Sequence, residues 1–290
     1  MKGYPICEVS VGGVNYPKLL GKLSDAPKKL YYRGDLRTLK GRTIAIVGSR
    51  RMTRYGREMA EKLVADLVNE DVVTISGFMY GVDTEVHART VEYGGKTVAV
   101  FGCGLDVIYP PENDKLYEQI LKKGGLVLSE YSPKAKPHLW KFPQRNRIVA
   151  ALASLGVLVI EAGEKSGSLI TVELGEKMGK KIYALPGMVT SSVSRGTNGL
   201  IRDGRAKLVM EIVDILENSR AGRGDRLKLK KGLTELEKEI MESLNLEPLN
   251  TDEIAVAVGK SVVEVGSALS LMGIKGLVSE SGGKWYLVNS

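Results

Sequence analysis

The sequence contains few of the side chains that bind metals or form disulfides. Its 290 residues include two cysteines, Cys7 and Cys103, and two histidines, His87 and His138. Two thiols cannot build a disulfide framework, and with so few histidines no metal site is evident. We expect both cysteines to be small buried hydrophobic residues. The composition argues against a disulfide-rich secreted protein and gives no reason to expect a metal or another cofactor.

Long hydrophobic runs are also lacking. The longest, Ile148–Ile160, includes Ser154 and Gly156 and is too short to span a bilayer. The first residues show no continuous apolar stretch of the kind found in signal peptides. We therefore expect a cytoplasmic protein that does not associate with membranes.

Charge is unevenly distributed along the chain. Residues 1–218 contain 32 Lys/Arg and 24 Asp/Glu. Residues 219–231 contain six basic residues and one acidic residue, whereas residues 232–290 contain four basic and nine acidic residues. A cationic surface suits a polyanionic partner, and here it belongs to the first part of the chain and the short basic segment after it. We divide the sequence into a short lead-in (1–40), a large domain (41–218), a basic flexible linker (219–231) and a small acidic domain (232–290).

From Thr43 onward, short apolar runs alternate with amphipathic segments. The runs are rich in β-branched residues and are bounded by Gly, Pro or charge, as buried strands are; they are Thr43–Val47, Val72–Ser76, Thr97–Phe101, Leu126–Ser129, Val157–Glu161 and Lys181–Leu185. The helices predicted between them are Tyr55–Asn69, Asp83–Tyr93, Asn113–Lys123, Gln144–Ala151 and Ser168–Met178. This alternation predicts an α/β fold with an extended Rossmann-like, mostly parallel, doubly wound sheet. In the lead-in, Leu30–Gly34 is a candidate for a small edge strand.

The acidic C-terminal region has the element order of a winged helix. Three helical patterns, at Glu235–Leu244, Thr251–Val258 and Ser261–Met272, precede a hairpin-like segment, Leu277–Val288. The third pattern would be the DNA-reading helix, but it contains no Lys or Arg and carries Glu264. Because phosphate neutralisation needs cations, we expect a protein-contact or structural module rather than a DNA reader.

Two strand ends carry residues suited to phosphate binding. Lys165-Ser-Gly-Ser168 follows one predicted strand and opens a helix, so free backbone N–H groups and the positive end of the helix dipole would face a ligand. A plain N-cap by serine is the alternative. Arg50 follows Gly48-Ser49 at the carboxyl end of another strand, where ligands of such sheets bind, and we interpret it as a second phosphate contact.

Cations and aromatic side chains are mixed in residues 134–147. This segment, KAKPHLWKFPQRNR, places five Lys/Arg among His138, Trp140 and Phe142. Cations follow a phosphate backbone while aromatic rings stack on any base, a combination typical of single-strand binding. A surface loop with two core aromatics would give the same pattern. Asn146, between two arginines, can donate and accept against a base edge.

Three carboxylates, Asp83, Glu130 and Glu161, stand at or just after predicted strand ends. Catalysis by an acid or base requires a reacting group nearby, and no nucleophile or metal ligand adjoins them in sequence. We therefore expect them to hydrogen-bond loop backbone.

Six ordered blocks of the sequence resemble the DNA-processing protein A family (DprA, also called Smf). The resemblance covers about residues 16–216, and the blocks are Gly48-Ser-Arg50, Ser76-Gly77 with Gly81-Val-Asp83, Gly102 to Pro110, Phe142-Pro-Gln-Arg-Asn-Arg147, Glu161 to Thr171, and Pro186 to Ile201. One departure is Phe78-Met79-Tyr80, where the family has a small residue, and we expect it to narrow or cap the pocket.

The resemblance implies an extended Rossmann domain that binds single-stranded DNA in a basic pocket and forms homodimers. It also implies a role in natural transformation, in which the protein protects incoming strands and loads the RecA recombinase onto them, without an established enzymatic activity. The pocket residues carried over from the family are Ser49, Arg50, Phe142, Arg145, Asn146, Arg147, Lys165, Ser166 and Ser168.

A nucleotide-binding enzyme or sensor is the alternative function. Gly167–Glu173 loosely resembles the Gly-Gly-x-Gly-Thr-x-x-Glu loop of lysine-decarboxylase-like phosphoribohydrolases, which share this type of sheet. A mononucleotide needs one phosphate cradle and a catalytic carboxylate. Several cationic segments spread along the domain fit a polymer better.

Overall fold

The computed structural model of the chain describes residues 3–216, 233–244, 247–274 and 277–287. The chain divides into two compact units, residues 1–221 and 222–290. The predicted linker, 219–231, lies outside the described residues. A tether between two domains therefore stays a prediction.

The first unit is built on a nine-stranded sheet. Its strands are β1 (Cys7–Ser10), β2 (Lys29–Gly34), β3 (Thr43–Val47), β4 (Val73–Ser76), β5 (Thr97–Phe101), β6 (Leu126–Ser129), β7 (Gly156–Val159), β8 (Ile182–Ala184) and β9 (Lys207–Leu208). They lie in the order β1-β2-β6-β5-β4-β3-β7-β8-β9. β2 is antiparallel to both of its neighbours, and the other neighbouring pairs are parallel. The predicted α/β class with a mostly parallel sheet is confirmed.

Helices connect these strands throughout the described part of the unit. They are α1 (Arg54–Asn69), α2 (Val82–Glu92), α3 (Asp114–Lys122), α4 (Lys141–Leu152), α5 (Ser168–Lys177) and α6 (Arg195–Arg202), with short 3-10 helices at Leu20–Lys22, Leu36–Lys40, Pro111–Asn113 and Ile212–Asp214. All the strands and helices predicted from the alternating pattern are present, and their ends differ from the predicted ones by three residues at most.

The strand predicted at Leu30–Gly34 exists but does not lie at the edge of the sheet. β2 pairs with β1 on one side and with β6 on the other. The prediction was wrong because β1 precedes it as an additional outer strand. β1 has no buried residue, so no apolar alternation marks it in the sequence.

Alternate residues of the central strands face opposite layers of helices. In β3, Ala45 and Val47 belong to one core with residues of α4 and α5, whereas Ile44 and Ile46 belong to another with residues of α1 and α2. All five residues of β3 are buried, as expected for a strand covered on both faces. The sheet is therefore doubly wound.

The strand order reverses beside β3. The chain proceeds from β3 through β4, β5 and β6 on one side, and later crosses to β7, β8 and β9 on the other. The connections that follow β3 and β7 run in opposite directions, which opens a crevice beyond the carboxyl ends of these strands. Ligands of doubly wound sheets bind at such a point.

The second unit contains α7 (Glu235–Leu244), α8 (Thr251–Val258), α9 (Val262–Ile274), β10 (Val278–Ser281) and β11 (Lys284–Leu287). β10 and β11 form an antiparallel hairpin that turns at two glycines with positive φ. Three helices followed by a hairpin is the predicted order, although Val288 lies outside the described residues. Assignment of this unit as a winged helix, and a role for it in protein contacts, remain predictions.

No single helix in the described ranges is long and apolar enough to cross a membrane. Two consecutive helices, Thr251–Val258 and Val262–Gly273, are together long and apolar enough by length and composition only, but the chain bends by 111° between them.

Candidate nucleic-acid interface

A cleft of about 680 Å³ lies where the strand order reverses. Its walls come from the loop after β3, the β4–α2 loop, one face of α4 and the β7–α5 loop. Most of the predicted site residues line this cleft: Ser49, Arg50, Arg145, Asn146, Lys165, Ser166 and Ser168. The fold therefore brings together three segments that are far apart in sequence.

Arg145 is the buried cation of the cleft. Its side chain is only 2% exposed, and Nη1 donates to the carbonyl oxygens of Gly77 and Val100. Burial lowers the pKa of Arg145 to about 10, although the nearby Asp83 carboxylate favours the charged form. The guanidinium stays charged at neutral pH and contributes a fixed positive potential to the cleft.

Gly77 leaves the space that Arg145 and Asp83 occupy at the end of β4. A Cβ at position 77 would lie 2.5 Å from Arg145 Nη2 and 2.6 Å from Asp83 Oδ2. The Asp83 carboxylate accepts a hydrogen bond from the Met79 N–H at 3.2 Å. Burial raises the pKa of Asp83, and the charge of Arg145 opposes this rise. Asp83 therefore holds the β4–α2 loop, as predicted for this carboxylate.

Gly81 allows the loop after β3 and the loop after β4 to touch. Its φ is +74°, and a Cβ there would lie 2.2 Å from the Ser49 carbonyl oxygen. The Val82 N–H donates to that carbonyl at 3.1 Å, and Ser49 Oγ accepts from the Arg51 N–H at 3.0 Å. This close backbone approach, which glycine permits, places Ser49 and the arginines after it at the rim of the cleft.

Arg50 and Arg51 are exposed at that rim. The Arg50 guanidinium carbon lies 5.9 Å from the centroid of the Phe142 ring, a cation–π distance. Within the described residues neither arginine forms an ion pair, whereas Arg54 pairs with Glu58 at 2.7 Å. Arg50 and Arg51 are therefore available to an anionic ligand.

The β7–α5 loop presents the N-terminus of a helix to the cleft. The residue before α5 is Gly167, which has no side chain to cap the helix. Ser166 and Ser168 bond each other, with hydroxyl oxygens 2.7 Å apart, and Ser166 Oγ also accepts a long hydrogen bond from the Ser168 N–H at 3.4 Å. The Leu169 N–H donates to the Ser166 carbonyl at 3.0 Å. The serine cap considered as an alternative is therefore formed in part, by Ser166, while the positive end of the α5 dipole still faces the cleft. Lys165 is exposed beside them, and a Cβ at position 167 would meet nothing within 4 Å.

One stripe of α4 forms the wall opposite these loops. Pro143, Asn146 and Val149 line the cleft at intervals of three residues. Asn146 is half-buried, and its Oδ1 accepts from Arg145 Nε at 3.3 Å. This bond leaves the Asn146 NH₂ group as a donor toward a ligand.

Arg147 does not line the cleft, unlike Arg145 and Asn146 on the same helix. Arg147 Nη2 pairs with Glu130 at 2.7 Å, and Nε pairs with Asp25 at 2.7 Å. The side chain is nearly buried and ties α4 to the end of β6 and to the lead-in. The sequence grouped Arg147 with Arg145, but residues two apart on a helix point to different sides.

Phe142 also lies outside the cleft lining. It is 7% exposed and packs on Gly102, where a Cβ would lie 2.6 Å from its ring, and on Tyr109 at 5.6 Å between centroids. It supports Arg50 from the protein side and has no open face for a base. Trp140, two residues earlier, is 61% exposed.

The other strand-end carboxylates are structural. Glu161 is buried and accepts from the Thr53 N–H at 2.9 Å, while Thr53 Oγ1 accepts from the Gly56 N–H and caps α1. The expected backbone role is confirmed for Glu161, whereas Glu130 binds the Arg147 side chain instead. Of the residues that the structure describes, Asp83 is the one carboxylate in the lining of the cleft.

Sequence reasoning missed several lining residues, among them Thr171, Ser192 and Val193. Thr171 stands three residues after Ser168, so helical spacing could have found it. Ser192 and Val193 follow β8 in a stretch without a glycine-rich turn or a charge cluster, and no local signal marks them.

The Phe78-Met79-Tyr80 departure acts on the cleft through one residue. Met79 is almost fully buried and lines the cleft. Phe78 points into the core and stacks on Phe101 at 4.8 Å, and Tyr80 bonds Glu112 at 3.1 Å. Of these three residues, Met79 is therefore the one that faces the cleft, and narrowing of the cleft relative to the family stays a prediction.

The chain matches the family model described as DNA recombination-mediator protein A over residues 9–220. DNA processing protein DprA of Streptococcus pneumoniae is 44% identical over 201 residues, which cover 69% of this chain and 70% of that protein. Protein Smf of Synechocystis sp. is 33% identical over 310 aligned residues, covering 94% of this chain and 77% of that protein.

Two solved structures are similar to this chain in both fold and sequence. The X-ray structure of DprA from Streptococcus pneumoniae has a TM-score of 0.69 and 41% identity, covering 75% of each chain. A structure of DNA processing protein A from Helicobacter pylori, reported for its single-stranded DNA binding mode, has a TM-score of 0.66 and 32% identity, covering 77% of this chain and 98% of that one. The chain therefore belongs to the DNA recombination-mediator protein A family, whose members include the proteins named DprA and Smf.

Proposed function

We propose that this protein binds single-stranded DNA, without sequence preference, in the cleft beyond β3, β4 and β7. The observation that supports the proposal is the convergence on one cleft of a helix N-terminus and of cations that form no ion pair with any described residue. Arg50, Arg51 and Lys165 supply the charge, and the N-terminus of α5 supplies the positive end of its dipole. The single-stranded DNA binding mode of the Helicobacter pylori relative supports a strand as the ligand.

The dimensions of the cleft also favour part of a strand. Its volume, about 680 Å³, is in the range of pockets that hold one small molecule, so roughly one or two nucleotides would occupy it. The remaining phosphates would then lie on the surface beside it. Asn146 on α4 would face the bases or sugars of the inserted part, and the buried Arg145 beside it would contribute positive potential.

A phosphoribohydrolase is disfavoured by the place of Glu173. In the loosely similar loop this carboxylate would be the catalytic one, but it lies at a second cavity, on the far side of α5 from Ser168 and Thr171. Asp83 remains in the cleft and is engaged with the Met79 N–H. We therefore propose a role without catalysis.

The proposal extends to natural transformation and recombination in the cytoplasm. The protein would protect incoming strands, act as a homodimer and load a RecA-type recombinase. These parts rest on family membership. A strand-exchange assay, in which the recombinase is blocked by a single-strand-binding protein, tests loading directly.

Fluorescence anisotropy with labelled oligo-dT and a matched duplex, titrated across salt, tests the binding itself. We expect tight, salt-dependent binding that prefers the single strand. Arg50→Ala should weaken binding and reduce the slope of log K against log salt by about 0.7, the value for one phosphate contact on a single strand. Arg54→Ala is the matched control, because Arg54 begins the helix that follows the Arg50 loop but lies outside the cleft lining and pairs with Glu58.

Equal effects of Arg50→Ala and Arg54→Ala would place the binding site elsewhere. Binding of neither DNA would reject the proposal, and nucleoside monophosphates would then be the ligands to test for hydrolysis.

A further inference from the structure

An exposed aromatic side chain stands just outside the cleft. Trp140 is 61% exposed and Leu139 is 85% exposed, at the residues that precede α4. The two side chains are adjacent and are flanked by polar residues, and apolar surface patches with a polar rim often mark binding sites. Neither residue lines the cleft.

The Trp140 ring is held in position although it is exposed. Lys141 Nζ lies 5.6 Å from its centroid and 4.7 Å from that of Tyr131. Tyr131 meets the Trp140 ring edge to face at 6.3 Å, and the His138 ring lies nearly parallel to it, with 16° between the planes. Lys141 is itself fixed by donating to the Lys136 carbonyl at 2.8 Å. An aromatic ring ordered before binding loses less entropy when a ligand stacks on it.

The ring neighbours the edge of the cleft rather than facing into it. Trp140 has helical backbone angles, so helical spacing extends to it, and it lies one step of three residues from Pro143, which lines the cleft. Each such step turns by about 60°, so Trp140 points to the side of α4 that faces Tyr131, about 120° around the helix from Asn146. At 1.5 Å of rise per residue, Trp140 also lies about 9 Å along the helix axis from Asn146. A strand that leaves the cleft over Pro143 would therefore reach the ring after at least two or three nucleotides, at about 3.4 Å each.

We propose that Trp140 is a base-stacking subsite for single-stranded DNA that leaves the cleft past Pro143. This inference rests on the proposed function. It adds the path by which the strand leaves the cleft and a residue that stacks on a base without sequence preference. The phosphates of the same nucleotides would lie near Lys134 and Lys136, which are both exposed and precede Trp140 in the same segment.

The composition of the patch favours nucleic acid over a protein partner. Lysine is depleted at protein–protein interfaces, whereas lysines interleaved with aromatic rings are typical of single-strand sites. The patch also adjoins the cationic cleft at Pro143, which supports single-stranded DNA as the ligand of both. A second protein chain on this patch would have to cover lysines and histidine together with the tryptophan.

DNA oligonucleotides of different length distinguish binding at this subsite from binding in the cleft. Trp140→Ala should weaken binding of an oligo-dT of about twelve nucleotides by about 5- to 20-fold, and leave an oligo-dT of about four nucleotides unaffected. Trp140→Phe should retain most of the affinity, because a phenyl ring still stacks. Leu139→Ala is the matched control, since it removes an even more exposed apolar side chain that has no ring.

Intrinsic fluorescence gives a second readout. The chain has two tryptophans, and the other one, Trp285, lies in the second unit. In a Trp285→Phe protein, the longer oligo-dT should quench the remaining emission, and the shorter one should leave it nearly unchanged.

Each outcome is distinct. If Trp140→Ala binds the longer strand as Leu139→Ala does, while Arg50→Ala loses affinity, the cleft proposal stands and the Trp140 subsite is rejected. If Trp140→Ala changes the sedimentation coefficient but not the affinity, the patch is a protein contact and the subsite is again rejected. If the wild-type protein binds neither strand, the proposed function and this inference fall together.

Discussion

Charge reversal at Arg147 should lower the stability of the fold. It should not act simply by removing a DNA contact. From sequence alone, Arg147→Glu would be expected to remove a DNA contact and leave the fold intact. The structure places the guanidinium between Glu130 and Asp25, outside the cleft. A glutamate there would place a third carboxylate beside Glu130 and Asp25, and the Glu130 side is almost closed to solvent.

The pair with Glu130 determines the size of the effect. Both side chains are about one-tenth exposed, whereas the Asp25 side chain is 64% exposed and contributes little. Removing one partner of a buried ion pair costs about 3–5 kcal/mol, because the other charge remains buried without compensation. For a unit of this size, 1 kcal/mol corresponds to about 2–4 °C in Tm, so Tm should fall by roughly 6–20 °C.

Thermal unfolding followed by circular dichroism measures this difference. Arg54→Glu is the matched charge reversal, since Arg54 pairs with Glu58 on the surface and should cost about 1 kcal/mol or less. Replacing both partners with apolar residues, as in Arg147→Met with Glu130→Leu, should recover much of the loss. An unchanged Tm in Arg147→Glu together with lost DNA binding would refute this reasoning and return Arg147 to the DNA site.

Three further predictions concern buried groups of the first unit. Gly77→Ala should destabilise the protein by about 1–3 kcal/mol and weaken DNA binding, because its Cβ would displace Arg145, whereas Gly167→Ala has open space and should leave the urea midpoint unchanged; equal effects would contradict this account. Burial lowers the pKa of His87 to about 3, so the native state stays unprotonated while the unfolded state takes up a proton below about pH 6.5. The free energy of unfolding should therefore decrease as the pH is lowered, and at about pH 5 this group should account for about 2 kcal/mol of the decrease. Urea unfolding of His87→Asn should lack that part of the pH dependence. Cys103 is buried as expected, whereas the same expectation was wrong for Cys7, which is exposed on β1. Burial raises the pKa of Cys103 to about 11, so near pH 8 a thiol reagent should label Cys7 quickly and Cys103 only after denaturation; rapid labelling of both thiols in the native protein would show that the core around Cys103 opens.

Local pattern alone was enough to predict six consecutive strands of the sheet, β3 to β8, but not β1 or β9. Strands such as Thr43–Val47 are continuous apolar runs because both faces are covered by helices, and that burial leaves a direct mark on the sequence. The glycines and serines at strand ends were also readable, since close backbone approach restricts those positions to small residues. Gly48-Ser49-Arg50 and the Lys165–Ser168 turn accordingly lie in the cleft where the sequence placed them.

The roles of neighbouring side chains required the tertiary structure. Arg145 and Arg147 are the same residue type, two positions apart on α4. Their different positions around the helix direct Arg145 to the cleft and Arg147 to Glu130 and Asp25, which are distant in sequence. Phe142 and Trp140 are likewise interchangeable as aromatics, and only the packing against Gly102 shows which of them is covered.

The class of fold, the order of its central elements and the loops at the rim of the cleft were therefore predictable from the sequence, because each of these depends on residues close together in the chain. The tertiary structure was needed to show which cations have no ion-pair partner among the described residues, which aromatic ring is exposed and where β2 lies in the sheet. Those features depend on partners brought together from distant segments, and no short-range pattern records them.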